Sequence, residues 1–301
     1  MGHVLRAGAP GRAASFVRVL LAYVVAAVVA GAAGWLAAAV LGRRDPLLVA
    51  LSGDLAATVT VFAFSVAWDN TCVYDPYWSV APPLLALWFA FRPLGAADRP
   101  RLWVVLALVA LWALRLTWNW ARGWQGLGQE DWRYADVRAR TGDAYWPASF
   151  FALHLMPTLV VFLGCLSLYA ALARGTRPFG WLDVVAAVVT FFAVALEAAA
   201  DGQLRRWTRS RPAPGLTFSV GLWRWSRHPN YFAEVLFWWG LALFGIAAAP
   251  FRWWMLLGPV AITALFLGVS VPLMDRRMLA RHPSYAERLK RVSGLVPWPP
   301  R

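Results

Sequence analysis

The sequence is poor in the residues that build disulfide frameworks and metal cages. Only two cysteines, Cys72 and Cys165, stand in 301 residues, which gives neither a framework nor a ligand spacing. Both read as packing residues. The four histidines lie at positions 3, 154, 228 and 282. They are too scattered for the multi-histidine cages of membrane di-iron enzymes, so no metal site is expected. Acidic residues are also scarce, 15 against 29 Lys and Arg, and the net charge is +14. In a soluble protein that excess would point to nucleic acid. Here a topological rule explains it more simply, and no nucleic-acid partner is expected. No signal peptide is evident, because the apolar run from Phe16 is too long for an h-region and no clear cleavage site follows. No repeat of solenoid period appears; RHPNY at 227–231 and RHPSY at 281–285 are a faint internal echo.

What fills the chain is apolar sequence. It is 60% hydrophobic with 20 Trp and a mean hydropathy of +0.53, the composition of a membrane protein. The expected fold is all-α, a polytopic membrane helix bundle of seven or eight transmembrane segments. Runs long enough to span begin at Phe16 to Leu41 and Leu47 to Trp68. Trp78 to Phe91, carrying Pro82 and Pro83, is too short to span alone and reads as tilted or re-entrant. Leu102 to Trp120, Ser149 to Leu172, Leu182 to Ala200, Tyr231 to Ala248 and Trp253 to Leu273 follow. Residues 121–148 read as a long polar loop with a short interfacial helix near Glu130–Arg140. The division expected is 1–64, N-terminal transmembrane helices, and 65–301, one membrane domain.

Charge counting orients the bundle. The segments 121–148, 201–229 and the tail after Leu273 hold seventeen Lys and Arg, against three in 173–181 and 249–252. The first group, with the C-terminus, is therefore expected in the cytoplasm. Eight spans put the N-terminus inside too but leave Arg43, Arg44, Arg92, Arg99 and Arg101 outside. Seven spans reverse the first loops. Both counts stay open.

The stretch from Glu197 to Ala249 organises the chemistry. Glu197, Asp201 and Arg205 recur every four residues and share one helix face. After an arginine-rich loop, RWSRHPNYFAEVLFWW carries Asn230 and Glu234 at the mouth of the next apolar run. Carboxylates are costly in a bilayer and commonly face a bundle interior or a wet cavity, so these two stripes read as a ligand site. Arg205, Arg206, Arg209, Arg211, Arg224 and Arg227 suit a ligand with several phosphate groups, since a guanidinium forks two oxygens at once. The plainer readings are an Asp201–Arg205 ion pair, an Asn230 N-cap, a structural His228, and arginines that bind anionic lipid.

Two further places carry weight. DNTCVYDPYW sets Asp69, Tyr74, Asp75 and Tyr77 beside a membrane segment. They are either an aromatic belt with loop carboxylates or a buried acid with raised pKa that can donate to a substrate oxygen. Arg115, late in an apolar run, either snorkels or meets a phosphate or an acid. GWQGLG at 123–128 lacks the strand and helix of a dinucleotide fingerprint.

At DPYWSVAPP, GLGQEDWRYADVRARTG and LWRWSRHPNYFAEVLFWWG, the sequence resembles the steroid 5α-reductase superfamily, in its bacterial branch with a 5α-reductase-like C-terminal domain. The resemblance covers roughly 65 to 297. It implies a multi-helix membrane fold holding NADPH, hence NADP(H) as cofactor, among the cytoplasmic ends of the later helices. By that resemblance Asp201, in DGQLR with Arg205, contacts the cofactor. Asn230, Tyr231 and Glu234 contact its nicotinamide half, beside Arg227 and His228, and Arg115 lies near it. Asp75, with Tyr74 or Tyr77, stands near the family's catalytic Glu and Tyr. Where that family's Tyr is expected this chain has Trp112. The implied activity is NADPH-dependent reduction of a C=C bond in a lipid or steroid-like molecule, a hydrophobic substrate reached from the lipid bilayer of a bacterial plasma membrane. Two alternatives stay open. One is an S-adenosylmethionine-dependent methyltransferase of the isoprenylcysteine carboxyl type, which shares the RHPxY run but wants a Glu pair where MDRRML offers Asp275. The other is a non-enzymatic lipid-binding or transport protein.

Overall fold

Asp45 starts the second long helix, its carboxylate accepting from Leu47 N at 2.8 Å while Pro46 takes the first helical position; this is the capping geometry that satisfies a helix's orphan donors. The structure, a computed structural model, describes residues 10–40, 45–94, 98–210 and 215–300. The expectations placed on Leu41, Arg43, Arg44 and Arg211 lie outside the described residues. The architecture is all-α. In order the helices are α1 (Arg12–Val40), α2 (Pro46–Ala67), α3 (Tyr77–Ala90), α4 (Arg99–Gly123), α5 (Trp132–Thr141), α6 (Tyr145–Ser149), α7 (Met156–Leu168), α8 (Trp181–Arg209), α9 (Pro229–Ala248), α10 (Leu257–Leu265), α11 (Val271–Arg281) and α12 (Tyr285–Arg291).

Among the described residues, seven helices are long and apolar enough to cross a membrane, and the protein is an integral membrane protein. The stretch Trp132–Ala173, 42 residues, counts as one of them. It is interrupted at Gly142, φ +52°, which caps α5 and separates it from the span; α5 is the short helix expected near Glu130–Arg140. Beyond Tyr145 two π turns, Phe150–Leu155 and Tyr169–Ala173, keep the span continuous. The first lies just before Pro157, whose missing N–H upsets the regular ladder. Helix α3, at 14 residues, is about 21 Å long at 1.5 Å per residue. It runs back beside α2: Tyr77 at its start meets Asp54, and Trp88 Nε1 near its end donates to Pro46 O at 2.9 Å.

The chain forms two compact units. The first comprises Met1–Leu94 and Trp112–Cys165, the second Gly95–Leu111 and Leu166–Arg301. In the first unit α1 packs along α2. The start of α1 meets the end of α4, with Arg12 donating to Ala121 O at 2.9 Å and Leu127 N donating to Ser15 Oγ at 3.1 Å. Gly126 of the glycine loop has φ +100°, and a Cβ there would press on Ser15 Oγ at 3.0 Å. That loop is thus a packing turn against α1.

In the second unit α8 and α9 pack along much of their length. Gly240 allows it: a Cβ there would run into the side chain and Cα of Thr190. At the start of α8, Asp183 is buried to 1% exposure and paired with the equally buried Arg101. Arg101 Nε and Nη2 reach the two carboxylate oxygens at 2.7 and 2.9 Å, and its remaining donors reach Arg177 O and Pro178 O.

Candidate functional site

The far end of α8 meets the near end of α9. Glu197 is buried, and Asp201 and Arg205 follow one and two turns along, both partly buried. Asn230 Nδ2 donates to Asp201 Oδ1 at 3.3 Å. The two stripes read from the sequence therefore come together at this point. Asn230 is not the expected N-cap: His228 occupies that position, with Pro229 first in the helix. Proline's fixed φ and missing N–H suit the first helical position, which moves Asn230 inside the first turn. Its Oδ1 is buried and has no hydrogen-bond partner among the described residues. Unsatisfied buried acceptors are rare and costly. Glu234, one turn deeper, accepts from Trp238 Nε1 at 2.9 Å.

The loop before α9 is tied down on both sides. Trp223 Nε1 donates to Ala200 O at 3.0 Å, and Leu222 N to Gln203 Oε1 at 3.0 Å. Arg227 and His228 turn away from Asp201 toward an acid that the sequence reading set aside, Asp275. Arg227 Nη2 and Nε reach its two oxygens at 2.7 and 3.2 Å, His228 Nε2 lies 3.0 Å from Oδ1, and Tyr285 OH donates to Oδ1 at 2.7 Å. The His228 ring also stacks on Tyr231, centroids 5.0 Å apart. The C-terminal segment is clasped to the same loop: Arg227 N donates to Ser293 O, Ser226 Oγ to Leu295 O, and Trp298 N to Trp225 O. Arg288 donates to Trp223 O. Asp275 is thus a closed knot of charges that fixes the loop leading into α9 and Asn230.

In the first unit the three residues expected to act together do not converge. Tyr74 and Tyr77 stack, with centroids 5.1 Å apart, but their hydroxyls part. Tyr74 OH lies 2.6 Å from Thr158 Oγ1, and Tyr77 OH donates to Asp54 Oδ1 at 2.6 Å. Asp75 takes a different tyrosine, Tyr134, as donor. Burial raises the Asp75 carboxyl to about 6, against the pull of Arg133 and the bond from Tyr134. The expected acid–tyrosine partnership therefore exists twice, as Asp75–Tyr134 and Asp54–Tyr77. Neither has the pairing read from the sequence, because Thr158 and Asp54 take the hydroxyls of Tyr74 and Tyr77 while Tyr134 takes Asp75. Arg115 is partly buried on α4 in this unit. No group of His, Cys, Asp and Glu suited to a metal ion occurs among the described residues.

Residues 61–292 match the family described as a protein of unknown function, DUF1295. The chain belongs to that family. It is also similar to the uncharacterized protein C594.04c of Schizosaccharomyces pombe, 30% identical over 279 residues, which span 85% of this chain and 80% of that protein. No solved structure matches. The DUF1295 match takes in Asp75, Tyr134, Asp201, Asn230, Asp275 and Tyr285. It leaves out α1 and the first two thirds of α2, including Asp54.

Proposed function

We propose that this DUF1295 protein is a membrane reductase that uses NADPH to reduce a C=C bond of a lipid or steroid-like substrate, as its resemblance to the steroid 5α-reductase superfamily implies. The observation that carries the reading is Asn230. Its Nδ2 is held by Asp201 while its buried Oδ1 has no donor. A ligand amide such as that of nicotinamide would supply that donor once the side chains covering Oδ1 move aside, and the cofactor reading rests on this. NADPH, when bound, supplies hydride.

The chain's own residues would then hold and orient. Asp201 fixes the Asn230 side chain. Arg205 lies one turn beyond Asp201 toward the arginine-rich loop and suits phosphate. Glu234 and Tyr231 lie on α9 close to Asn230. Arg227 and His228 act at one remove, anchoring the loop through Asp275. Asp75 is an acid of the first unit that stays protonated in weakly acidic conditions, and Arg115 is carried over on the resemblance alone. The contact of Arg12 with the end of α4 supports the eight-segment reading, in which α3 returns the chain across the membrane beside the seven longer spans. On that reading, with the arginine count, both termini face the cytoplasm of a bacterial plasma membrane.

Calorimetry on the detergent-purified protein tests the reading. NADPH is expected to bind, and Asn230→Ala and Asp201→Ala are each expected to weaken it by about tenfold or more, the scale of a lost hydrogen bond to a charged group. Tight S-adenosylmethionine binding without NADPH binding would replace reduction by methyl transfer. Lipid flux in liposomes with neither cofactor would replace it by transport.

A further inference from the structure

Helices α1, α2 and α3 line a half-open pocket of about 500 Å3 inside the first unit. That is within the range, roughly 300 to 1,000 Å3, of sites that hold a small molecule. Its walls are mostly alanine, glycine and valine side chains. One end is polar, formed by Asp54 and Tyr77, which are 7% and 6% exposed. The other end has Trp88 and Arg92, the guanidinium stacked 4.9 Å over the indole. The length of α3, about 21 Å, separates the two ends.

Packing alone does not account for Asp54. A carboxylate in the middle of an apolar span costs roughly 2.5–3.5 kcal/mol on insertion scales. Nor is the carboxylate needed to satisfy Tyr77, whose hydroxyl also reaches the backbone oxygen Asp54 O at 3.0 Å. The tyrosine is in turn held in place by stacking on Tyr74, itself tied to Thr158. The result is a fixed pair, one acceptor and one hydroxyl, at the end of a long apolar chamber.

We propose that this chamber binds a long-chain lipid alcohol with its hydroxyl on the Asp54–Tyr77 pair. The Tyr77 proton is spent on Asp54, so a ligand hydroxyl can donate to the remaining lone pairs of the carboxylate or of the phenol oxygen. The apolar walls accept the chain, and the separation of the two ends selects an extended molecule over a compact one. Most of this chamber lies on helices outside the family match, so it is a property of this chain's N-terminal helices and does not depend on any nucleotide.

The test uses the full chain in lipid nanodiscs. The probe is a clickable hexadecanol carrying a mid-chain diazirine, and the control is the same chain without the hydroxyl. The alcohol is expected to crosslink to α1–α3, with about tenfold preference over the hydrocarbon, and to be displaced by plain hexadecanol. Asp54→Asn and Tyr77→Phe should each reduce that preference. Ala50→Phe, which fills the chamber, should abolish labelling by both probes. Equal labelling by the two probes would overturn the proposal, as would labels spread over the lipid-facing surface or a preference that survives in both Asp54→Asn and Tyr77→Phe. Every variant is read alongside its unfolding midpoint, so a misfolded chain is recognised as such.

Discussion

Helix α8 has an acid near each end, and the two are treated differently. Asp183 is saturated: Arg101 forks both its oxygens, and Gly180 N adds a third donor at 2.9 Å. Arg101 in turn spends its other donors on two backbone carbonyls. At the other end Asp201 holds Asn230, whose second polar atom is buried without a partner. A fully paired charge is architecture, since nothing remains for a ligand to satisfy. The Asn230 amide is paired at one atom only. The same distinction separates Asp275, closed by Arg227, His228 and Tyr285, from the Asp54–Tyr77 pair that lines a chamber.

The largest effect expected from this contrast is at Arg101 and Asp183. Removing either partner strands a buried charge, and Arg101→Met or Asp183→Leu alone should lower stability by about 3–5 kcal/mol. The double variant should recover part of that loss, because it strands nothing. Reversible unfolding in mixed micelles reads both. If the single and double variants lose the same amount, the pair is not the structural lock described.

Next in size is Asp275→Ala, which should cost about 3 kcal/mol through the lost bonds to its three partners and the charge left on Arg227. It should also free the C-terminal segment. Trypsin would then cut at Arg288, Lys290 and Arg291 much faster than in the parent chain. Unchanged proteolysis would mean that the backbone bonds to Ser293, Leu295 and Trp298 hold the segment without the knot.

The smallest effect belongs to Asp75. Its folded value of about 6 exceeds the ordinary carboxyl value of 3.8. Between these values the folded chain binds more protons than the unfolded one, so stability falls as pH rises through that window and stays lower above it. Thermal midpoints measured from about pH 4 to 8 should show this slope, and Asp75→Asn should flatten it. A slope unchanged in Asp75→Asn would assign it to another group.

How much of this was legible in the sequence depends on how far apart the partners lie. The spans were readable because long apolar runs need no partner to be recognised. The polar stretch before the fifth apolar run was readable too: its short helix ends where Gly142 takes a positive φ. Asp201 and Asn230 were found because helical spacing sets them at the facing ends of two consecutive helices. Arg101 and Asp183, 82 residues apart, and Arg227 and Asp275, 48 apart, were missed because nothing local links them. Asp54 did leave a signal, a single acid within the apolar run 47–68. Asp75 was read with Tyr74 or Tyr77, whereas its donor is Tyr134, 59 residues along the chain, which no local pattern links to it.

The most direct test of the central claim sets the two ends of α8 against each other in one titration. NADPH is added to the parent chain, to Asn230→Ala and to the Arg101→Met/Asp183→Leu double variant, with energy transfer from tryptophan to the bound nicotinamide as the readout. The account predicts saturable binding in the parent and the double variant, with little or none in Asn230→Ala despite an unfolding midpoint close to the parent's. Full binding by Asn230→Ala, or no binding by the folded parent chain, would contradict it.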